Sequence, residues 1–477
     1  MKKVVTDKAR HATLALQPEN RLFSEEEKPE WAIGPFTKHR FVVLILVCVL
    51  GVILYAIQIY LWPARREPVN ILEHLWVMGH YLWLAGVPVA TLMIVGIFMY
   101  RKEPLVNIPY TPHLVVWRIV TRGDNVSALT TTIHTIQAQM KAIPIFPYKI
   151  EVITESGALE KNVLPLFSNK VRFVHVPAGY QTPKGTRFKA RALQYAVEHS
   201  TVPDDAWLVH LDEETAPDRS GLLGIAKMIT EEETSGALRI GQGALLYHRQ
   251  WRKHPIMTMA DNIRTGMDFG HFYLQSQIGT SICGFHGSYI VIRNDVEKAT
   301  GGFDLGPEGS IAEDAWWILI ANEKGHKIRW VEGFLVEQST QDVWDFLQQR
   351  RRWMEGLIKV VRFAPVPLWR RLPVALNLAF WGVVCFSILY SFAHLFYGFD
   401  THPGIRLAAN WSLATCATMY VVGLLANLKG AGITNPVTKL GAIVVQTALL
   451  PLFCLLEVTA GVLGLFFPKN AFHVIKK

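Results

Sequence analysis

Three short groups of side chains have the residue types and spacing to do chemistry together. Asp212-Glu213-Glu214 follows Ala206 to Leu211, an apolar run that reads as a buried strand. Carboxylates leaving a strand end can share one divalent cation, or divide between a cation and a ribose. A diphosphate needs such a hard, oxygen-bound cation to offset its charge. Glu313-Asp314 opens a helical run from Ala312 to Lys324. A carboxylate placed there could take a proton from a hydroxyl, and Trp316 and Trp317 just after it could stack on a sugar. Gln349-Arg350-Arg351-Arg352-Trp353 offers guanidiniums for a diphosphate and an indole to cover a base or sugar. Each group also has a plainer reading. The first is a solvated acidic turn, the second an acidic helix start favoured by the helix dipole, and the third a basic helix beside a membrane.

The elements that must position these groups are legible as patterns. Across residues 101–340, short β-rich runs (His113 to Val120, Lys149 to Thr154, Val171 to Val176, Trp207 to Leu211, Ser288 to Arg293) alternate with helical stretches such as Asn125 to Ala142 and Phe188 to His199. That alternation predicts an α/β domain with a largely parallel sheet. Ligands of such sheets bind at the carboxyl ends of the strands. Thr121-Arg122-Gly123, Glu155-Ser156 and Asp212-Glu213-Glu214 would then face one crevice. Lys184, Lys189 and Arg191 surround a glycine-containing loop before a helix and suit phosphate contact, or solvent. Gly241-Gln242-Gly243 does not continue into GxGxxG, which excludes a dinucleotide fingerprint.

Thr340 to Phe363 reads as an amphipathic helix. Val343, Phe346, Leu347, Met354, Leu357, Ile358 and Val361 form its apolar stripe, and Gln349, Arg352 and Trp353 share another face. Arg350 falls on the apolar side, where it is expected to reach for lipid headgroups.

Composition places this domain on a membrane. Half of the 477 residues are hydrophobic and mean hydropathy is positive, with the apolar residues gathered in runs long enough to span about 30 Å of hydrocarbon. The expected spans are Phe41 to Trp62, Ile71 to Tyr100, Leu372 to Phe396, Leu407 to Leu428 and Gly441 to Phe467. Five spans put the C-terminus opposite the catalytic domain. Glu457 stands inside the last run, where a carboxylate is costly enough to suggest function or a partner across helices. The net charge of +9 is concentrated beside these runs, which fits anionic headgroups and a cytosolic domain. No basic, aromatic-interleaved patch points to nucleic acid. The five cysteines show no paired spacing, so neither a disulfide framework nor a thiolate metal site is expected. Residues 1–40 read as a loosely ordered cytosolic tail, and the first apolar run starts too late and runs too long for a cleavable leader.

Taken in order, LDEET, Ala312-Glu313-Asp314 and Gln349 to Trp353 resemble the DxD, (T/A)ED and QxxRW motifs of the family-2 inverting glycosyltransferases, over about residues 110–360. IAEDAWW and FLQQRRRWMEGL are most similar to the egghead-like β-1,4-mannosyltransferase branch. The resemblance implies an α/β GT-A (Rossmann-like) catalytic domain (101–340) inserted between transmembrane helices: a hairpin at 41–100, amphipathic helices at 341–371 and about three helices at 372–477. It also implies a plasma (inner) membrane location with the active site in the cytosol.

By the same resemblance, Asp314 is the base, with Glu313 beside it. Asp212 and Glu214 hold a divalent cation, Mg or Mn. Thr121, Arg122, Glu155, Lys189, Asp212, Gln349, Arg352 and Trp353 bind the nucleotide-diphosphate sugar, while Gly287, Ser288 and Trp316 meet the glycan or glycolipid acceptor. Glu214 and Glu155 stand where the family usually has Asp, which leaves the metal geometry and the choice of GDP or UDP open. QxxRW also occurs in processive synthases of cellulose and hyaluronan type. A processive synthase and a non-catalytic scaffold that binds sugar nucleotide are therefore the alternatives.

Overall fold

The computed structural model describes residues 22–24, 40–60, 66–155, 169–394, 398–399 and 401–469. Most of the expected N-terminal tail lies outside the described residues. Leu22–Phe23, within it, pairs antiparallel with Ile108–Pro109, so this part of the tail is tied to the domain.

Eight strands form the central sheet: β1 Val115–Thr121, β2 Tyr148–Thr154, β3 Val171–His175, β4 Trp207–Asp212, β5 Ala216–Pro217, β6 Ile240–Leu246, β7 Ile290–Arg293 and β8 Ile328–Val336, in the order β3-β2-β1-β4-β7-β6-β8-β5. β3, β2, β1 and β4 run parallel, as do β6 and β8. The sheet is largely parallel, as expected, with six strands in one direction, but two strands run against them and make it mixed. β7 enters antiparallel between β4 and β6, and β5 pairs antiparallel with β8. Apolar content marks a strand as buried but carries no direction, so this order was not readable from the runs.

Successive residues of a strand point to opposite faces, and both faces here are covered. Trp117 and Ile119 of β1 join a core with Leu129 and Ile133 of α4 (Val126–Ala142) and Leu222 and Ile225 of α6 (Arg219–Ser235). Val116 of β1 joins a second core with Leu193 of α5 (Phe188–His199) and Ile318 and Leu319 of α10 (Glu313–Glu323). α6 lies directly on β8, because a Cβ at Gly224 would come within 1.6 Å of the Glu332 carbonyl oxygen.

Below the sheet, α7 (Pro255–Met267) continues through a π-helical turn, Asp268–Phe272, into α8 (Tyr273–Ile278), and α9 (Asn294–Thr300) follows β7. α11 spans Val343–Phe363, with Asp342 capping its start by accepting from the Asp345 N–H at 2.8 Å.

The apolar helices are α1 (Arg40–Tyr60), α2 (Ile71–Gly79) and α3 (Trp83–Met99) joined by one 3₁₀ turn, α12 (Leu368–His394), α13 (Pro403–Gly430) and α14 (Pro436–Phe466). Among the described residues, three helices are long and apolar enough to cross a membrane: Ile71–Met99, Pro403–Gly430 and Pro436–Phe466. α13 packs on α7 at backbone contact, since a Cβ at Gly423 would lie 1.7 Å from the Asn262 carbonyl oxygen and one at Gly266 2.1 Å from that of Met419. Asn427 locks this joint by accepting from the Tyr247 N–H at 2.5 Å and donating to Asn262 Oδ1 at 2.9 Å.

α14 contacts α7 partway along its length and the α11 segment at its end. Gln446 accepts from Asn262 at 2.6 Å, and beyond the helix end Lys469 N donates to Glu355 at 3.1 Å.

Candidate active site

One cleft of about 780 Å³ runs from the carboxyl ends of β1, β2 and β4 to α11 and on between α12, α13 and α14. Thr121 leaves β1 and Asp212 ends β4, two strands paired in register from Val115–Trp207 to Val120–Asp212. The parallel pairing is what brings residues 91 positions apart in sequence to a common rim. Thr121 donates its hydroxyl to Glu213, which turns that carboxylate toward β1.

Lys189, near the start of α5, donates to Asp212 Oδ1 at 2.5 Å and lies 3.4 Å from Glu313. Ser288 donates to the other Asp212 oxygen at 2.9 Å. Gly287 leaves the centre open. A carbon added to it would sit 2.7 Å from Lys189 Nζ, 3.3 Å from Asp314 Oδ2 and 3.8 Å from Asp212 Oδ2. The first two acidic groups of the sequence thus converge with a lysine on one point, although α10 and β4 are separated by a hundred residues of chain.

Electrostatics divides the roles. Burial and the adjacent Glu313 charge push the Asp314 carboxyl up to about 7, against the opposing pull of Lys189. Ala315 N donates to Asp314 Oδ1 at 2.7 Å, leaving Oδ2 toward the cleft. Burial opposes the Lys189 charge, but Asp212 and Glu313 outweigh it and hold this ammonium above the ordinary lysine range. Burial lowers the Arg352 guanidinium, with Glu313, Asp212, Asp314 and Glu214 pulling it back. It remains a cation facing four carboxylates.

The donor set bears on a cation. Asp212 and Glu214 line the cleft and present hard oxygen ligands, but no group of three His, Cys, Asp or Glu among the described residues is placed to hold a metal. Such a pair fits Mg²⁺ or Mn²⁺ when a diphosphate completes the oxygen shell, the usual arrangement for Mg²⁺ with phosphate substrates. Asp212 would have to exchange part of its contact with Lys189 for the ion.

Of the residues expected from sequence, Thr121, Arg122, Glu155, Lys189, Asp212, Glu214, Gly287, Ser288, Glu313, Asp314, Gln349, Arg352 and Trp353 all line this cleft. Arg122 and Glu155 stand at its rim, their side chains 61% and 46% exposed. Glu155 is paired with Arg191. Trp316 is a correction. It is buried at 4% exposure in the core, against the backbone of Gly309, and does not line the cleft. Arg350 is a second correction, being enclosed at 2% exposure with Asp261 and Glu457 as ion-pair partners and not extended to headgroups.

Other cleft residues carried no sequence signal. Arg264 of α7 has its guanidinium 4.6 Å from the centre of the Trp353 ring. His286 meets Asp268 at 2.5 Å, and Asp268 also accepts from the Leu245 N–H at 2.9 Å. Both depend on the α7–α8 segment. Its composition is ordinary, and the His-Gly-Ser step after Phe285 was the one available hint.

With this geometry in view, the relatives are informative. The model of the glycosyl transferase family group 2 matches residues 207–428, from β4 through α11 to α13. The β-1,4-mannosyltransferase bre-3 of Caenorhabditis briggsae is 28% identical over 460 residues, 92% of this chain and 98% of that protein. The β-1,4-mannosyltransferase egh of Drosophila melanogaster is 27% identical over 406 residues, 83% of this chain and 86% of that protein. Among solved structures, the mannosyltransferase PcManGT from Pyrobaculum calidifontis, in complex with GDP-Man and Mn²⁺, matches at a TM-score of 0.44 and 14% identity, covering 82% of this chain and 97% of that one. What this chain shares with known proteins is therefore a match of residues 207–428 to the glycosyl transferase family group 2, within an α/β domain flanked by apolar helices.

Proposed function

We propose that this protein is a membrane-bound, inverting, metal-dependent hexosyltransferase that moves mannose from GDP-mannose to a glycan or glycolipid acceptor in β-linkage. Its active site faces the cytosol at the plasma (inner) membrane. One observation carries the reading: Asp212, Lys189 and Asp314 meet around the open space at Gly287, in a cleft that Arg352 and Trp353 also line. The names of the relatives at 27–28% identity support mannose and a β-1,4 linkage over the alternative, glucose from UDP-glucose.

In this reading Asp314 takes the proton of the acceptor hydroxyl. The acceptor oxygen bonds to the anomeric carbon as the bond to the diphosphate oxygen breaks, and the electron pair leaves with the nucleoside diphosphate. Attack from the face opposite the leaving group turns an α-donor into a β-product. A divalent cation held by Asp212 and Glu214 would neutralise charge on that leaving group. Lys189 and Arg352 add fixed positive charge beside the same oxygens, and Gln349 and Trp353 cover the donor and the acceptor end.

The continuation of the cleft between α12, α13 and α14 favours one second reading, a processive β-glycan synthase that feeds product toward these helices. The deciding experiment incubates detergent-purified protein with Mg²⁺ or Mn²⁺ and a panel of GDP- and UDP-hexoses. It measures the nucleotide released and the product length. Acceptor-dependent GDP release that EDTA abolishes, with a single-sugar product, is the expected result. UDP release would overturn the donor assignment, and a long ladder would establish the synthase. No release from any donor would overturn the transferase.

A further inference from the structure

The last apolar helix reaches the cleft through one buried arginine. Arg350 Nε donates to Glu457 Oε1 of α14 at 2.9 Å, Nη2 to Asp261 Oδ1 of α7 at 2.5 Å, and Nη1 to Gln349 Oε1 at 2.8 Å. Its guanidinium lies 4.3 Å from the Trp353 ring centre and 4.3 Å from that of Phe346. Trp381 of α12 donates its indole N–H to the second Glu457 oxygen at 2.9 Å, so that carboxylate is held from two helices. A second guanidinium, Arg264, approaches the same Trp353 ring and is itself paired with Glu337 at 3.2 Å. Arg350, Arg264, Glu337, Glu457, Gln349 and Trp353 all line the cleft.

Two physical facts give this arrangement a direction. A buried guanidinium that loses one of its two counter-charges shifts toward the other or draws in water, because a less fully paired buried charge is costlier. Arg350 is also the shared contact of the two side chains, Gln349 and Trp353, placed over donor and acceptor. A cation over an indole face fixes the plane of that ring. Removing the Glu457 charge leaves the guanidinium ion-paired with Asp261 alone, unties its Nε side, and so loosens the wall of the cleft.

We propose that Glu457 is a positioning residue for sugar transfer: acting through Arg350, it sets the orientation of Gln349 and Trp353, so that the apolar helix bundle controls the efficiency of the cytosolic site. This rests on the transferase reading and extends it to a carboxylate that touches no substrate.

The test uses the full chain in lipid nanodiscs, with Glu457→Gln, Glu457→Asp, Trp353→Phe and the Glu457→Gln/Trp353→Phe double variant. Transfer kinetics are measured alongside the ¹⁹F spectrum of 5-fluorotryptophan-labelled protein, in which Trp353→Phe assigns the Trp353 resonance. Glu457→Gln is expected to lower kcat about 10- to 100-fold with the donor KM within about threefold of wild type. Glu457→Asp should recover part of that loss. In the Trp353→Phe background, Glu457→Gln should cost little more, since the two act on one wall. The Trp353 resonance, single in the wild type, should broaden or split in Glu457→Gln.

Unchanged kcat, a full additive loss in the double variant, or an unmoved Trp353 resonance would overturn the proposal. If Glu457→Gln does not fold, Arg350→Lys keeps the charge and removes the planar contact, and it must reproduce the kcat loss and the spectral change. A wild type that releases no nucleotide sinks the transferase reading alone, because the spectra still report whether Glu457 orients Trp353.

Discussion

The side chains around Gly287 set what chemistry the cleft can support. Asp314 carries a carboxyl raised to about 7 by burial and by Glu313, so the group proposed as the base titrates near neutrality. Removing it, as in Asp314→Asn, should lower kcat by about 10²–10⁴-fold, the usual worth of a positioned base, with nucleotide binding retained. Single-turnover transfer and a binding isotherm check both halves. In the wild type, kcat/KM should rise with pH through about 7 as Asp314 loses its proton. Stability should move the other way. The folded carboxyl binds its proton more tightly than the unfolded one, so stability is greatest in acid and declines as pH climbs toward about 7. Asp314→Asn should then unfold at a higher temperature than wild type at pH 8, with the gap closing toward pH 4. Gly287→Ala is the complementary variant. Its methyl would stand 2.7 Å from Lys189 Nζ and 3.3 Å from Asp314 Oδ2, so transfer should fall at least tenfold while the thermal midpoint stays near wild type.

At the scale of elements, the joints between the sheet domain and the apolar helices are made by small residues. α13 meets α7 at Gly423 and Gly266, and α14 meets α11 at Gly464, where a Cβ would lie 2.9 Å from the Arg351 carbonyl oxygen. Backbones this close leave no room for a side chain, and overpacking costs about 1–3 kcal/mol or more. Gly423→Leu should therefore lower the thermal midpoint and weaken transfer together, since α7 carries the Asp261 and Arg264 that flank Arg350 and Trp353. A variant on the exposed face of α14, such as Val444→Ala, should do neither, and comparing the two in the same detergent isolates the joint. The packing also explains why Arg350 was misplaced by pattern alone. A helix stripe gives the apolar side, yet α14 brings a carboxylate to that side, and an arginine facing Glu457 is paired instead of solvated.

Over the whole molecule, contacts argue for a topology different from five crossings. Arg66, after α1, hydrogen-bonds through its backbone to Gly398, after α12, at 3.4 Å, which puts these two connections together. α13 comes back from that end to the sheet domain, where Asn427 holds Tyr247. α14 then starts near the domain, pairs with α7 through Gln446, and ends with Lys469 bonded to Glu355 and Gln348 of α11. A helix that meets the sheet domain and α11 near both ends should leave Lys469 on the side of that domain. An impermeant thiol reagent added to sealed vesicles should therefore label a cysteine placed at Lys469 and one placed on the sheet domain from the same face. Labelling from opposite faces would restore the fifth crossing.

By itself the sequence determined a good deal: an α/β domain beside apolar helices, the strand ends that carry Thr121 and Asp212, the α10 start at Glu313-Asp314, and the amphipathic α11. These follow from local rules of periodicity, capping and strand-end polarity, which act within a few residues. What waited for the tertiary structure is everything set by long-range contact. The antiparallel insertion of β7, the burial of Trp316, the α7 segment with Arg264 and Asp261, and the Glu457–Arg350 bond each depend on residues far apart in the chain. No local pattern encodes which partner will arrive at a given face. A carboxylate inside an apolar helix can be flagged as costly from sequence, but the arginine that offsets it is chosen by packing alone.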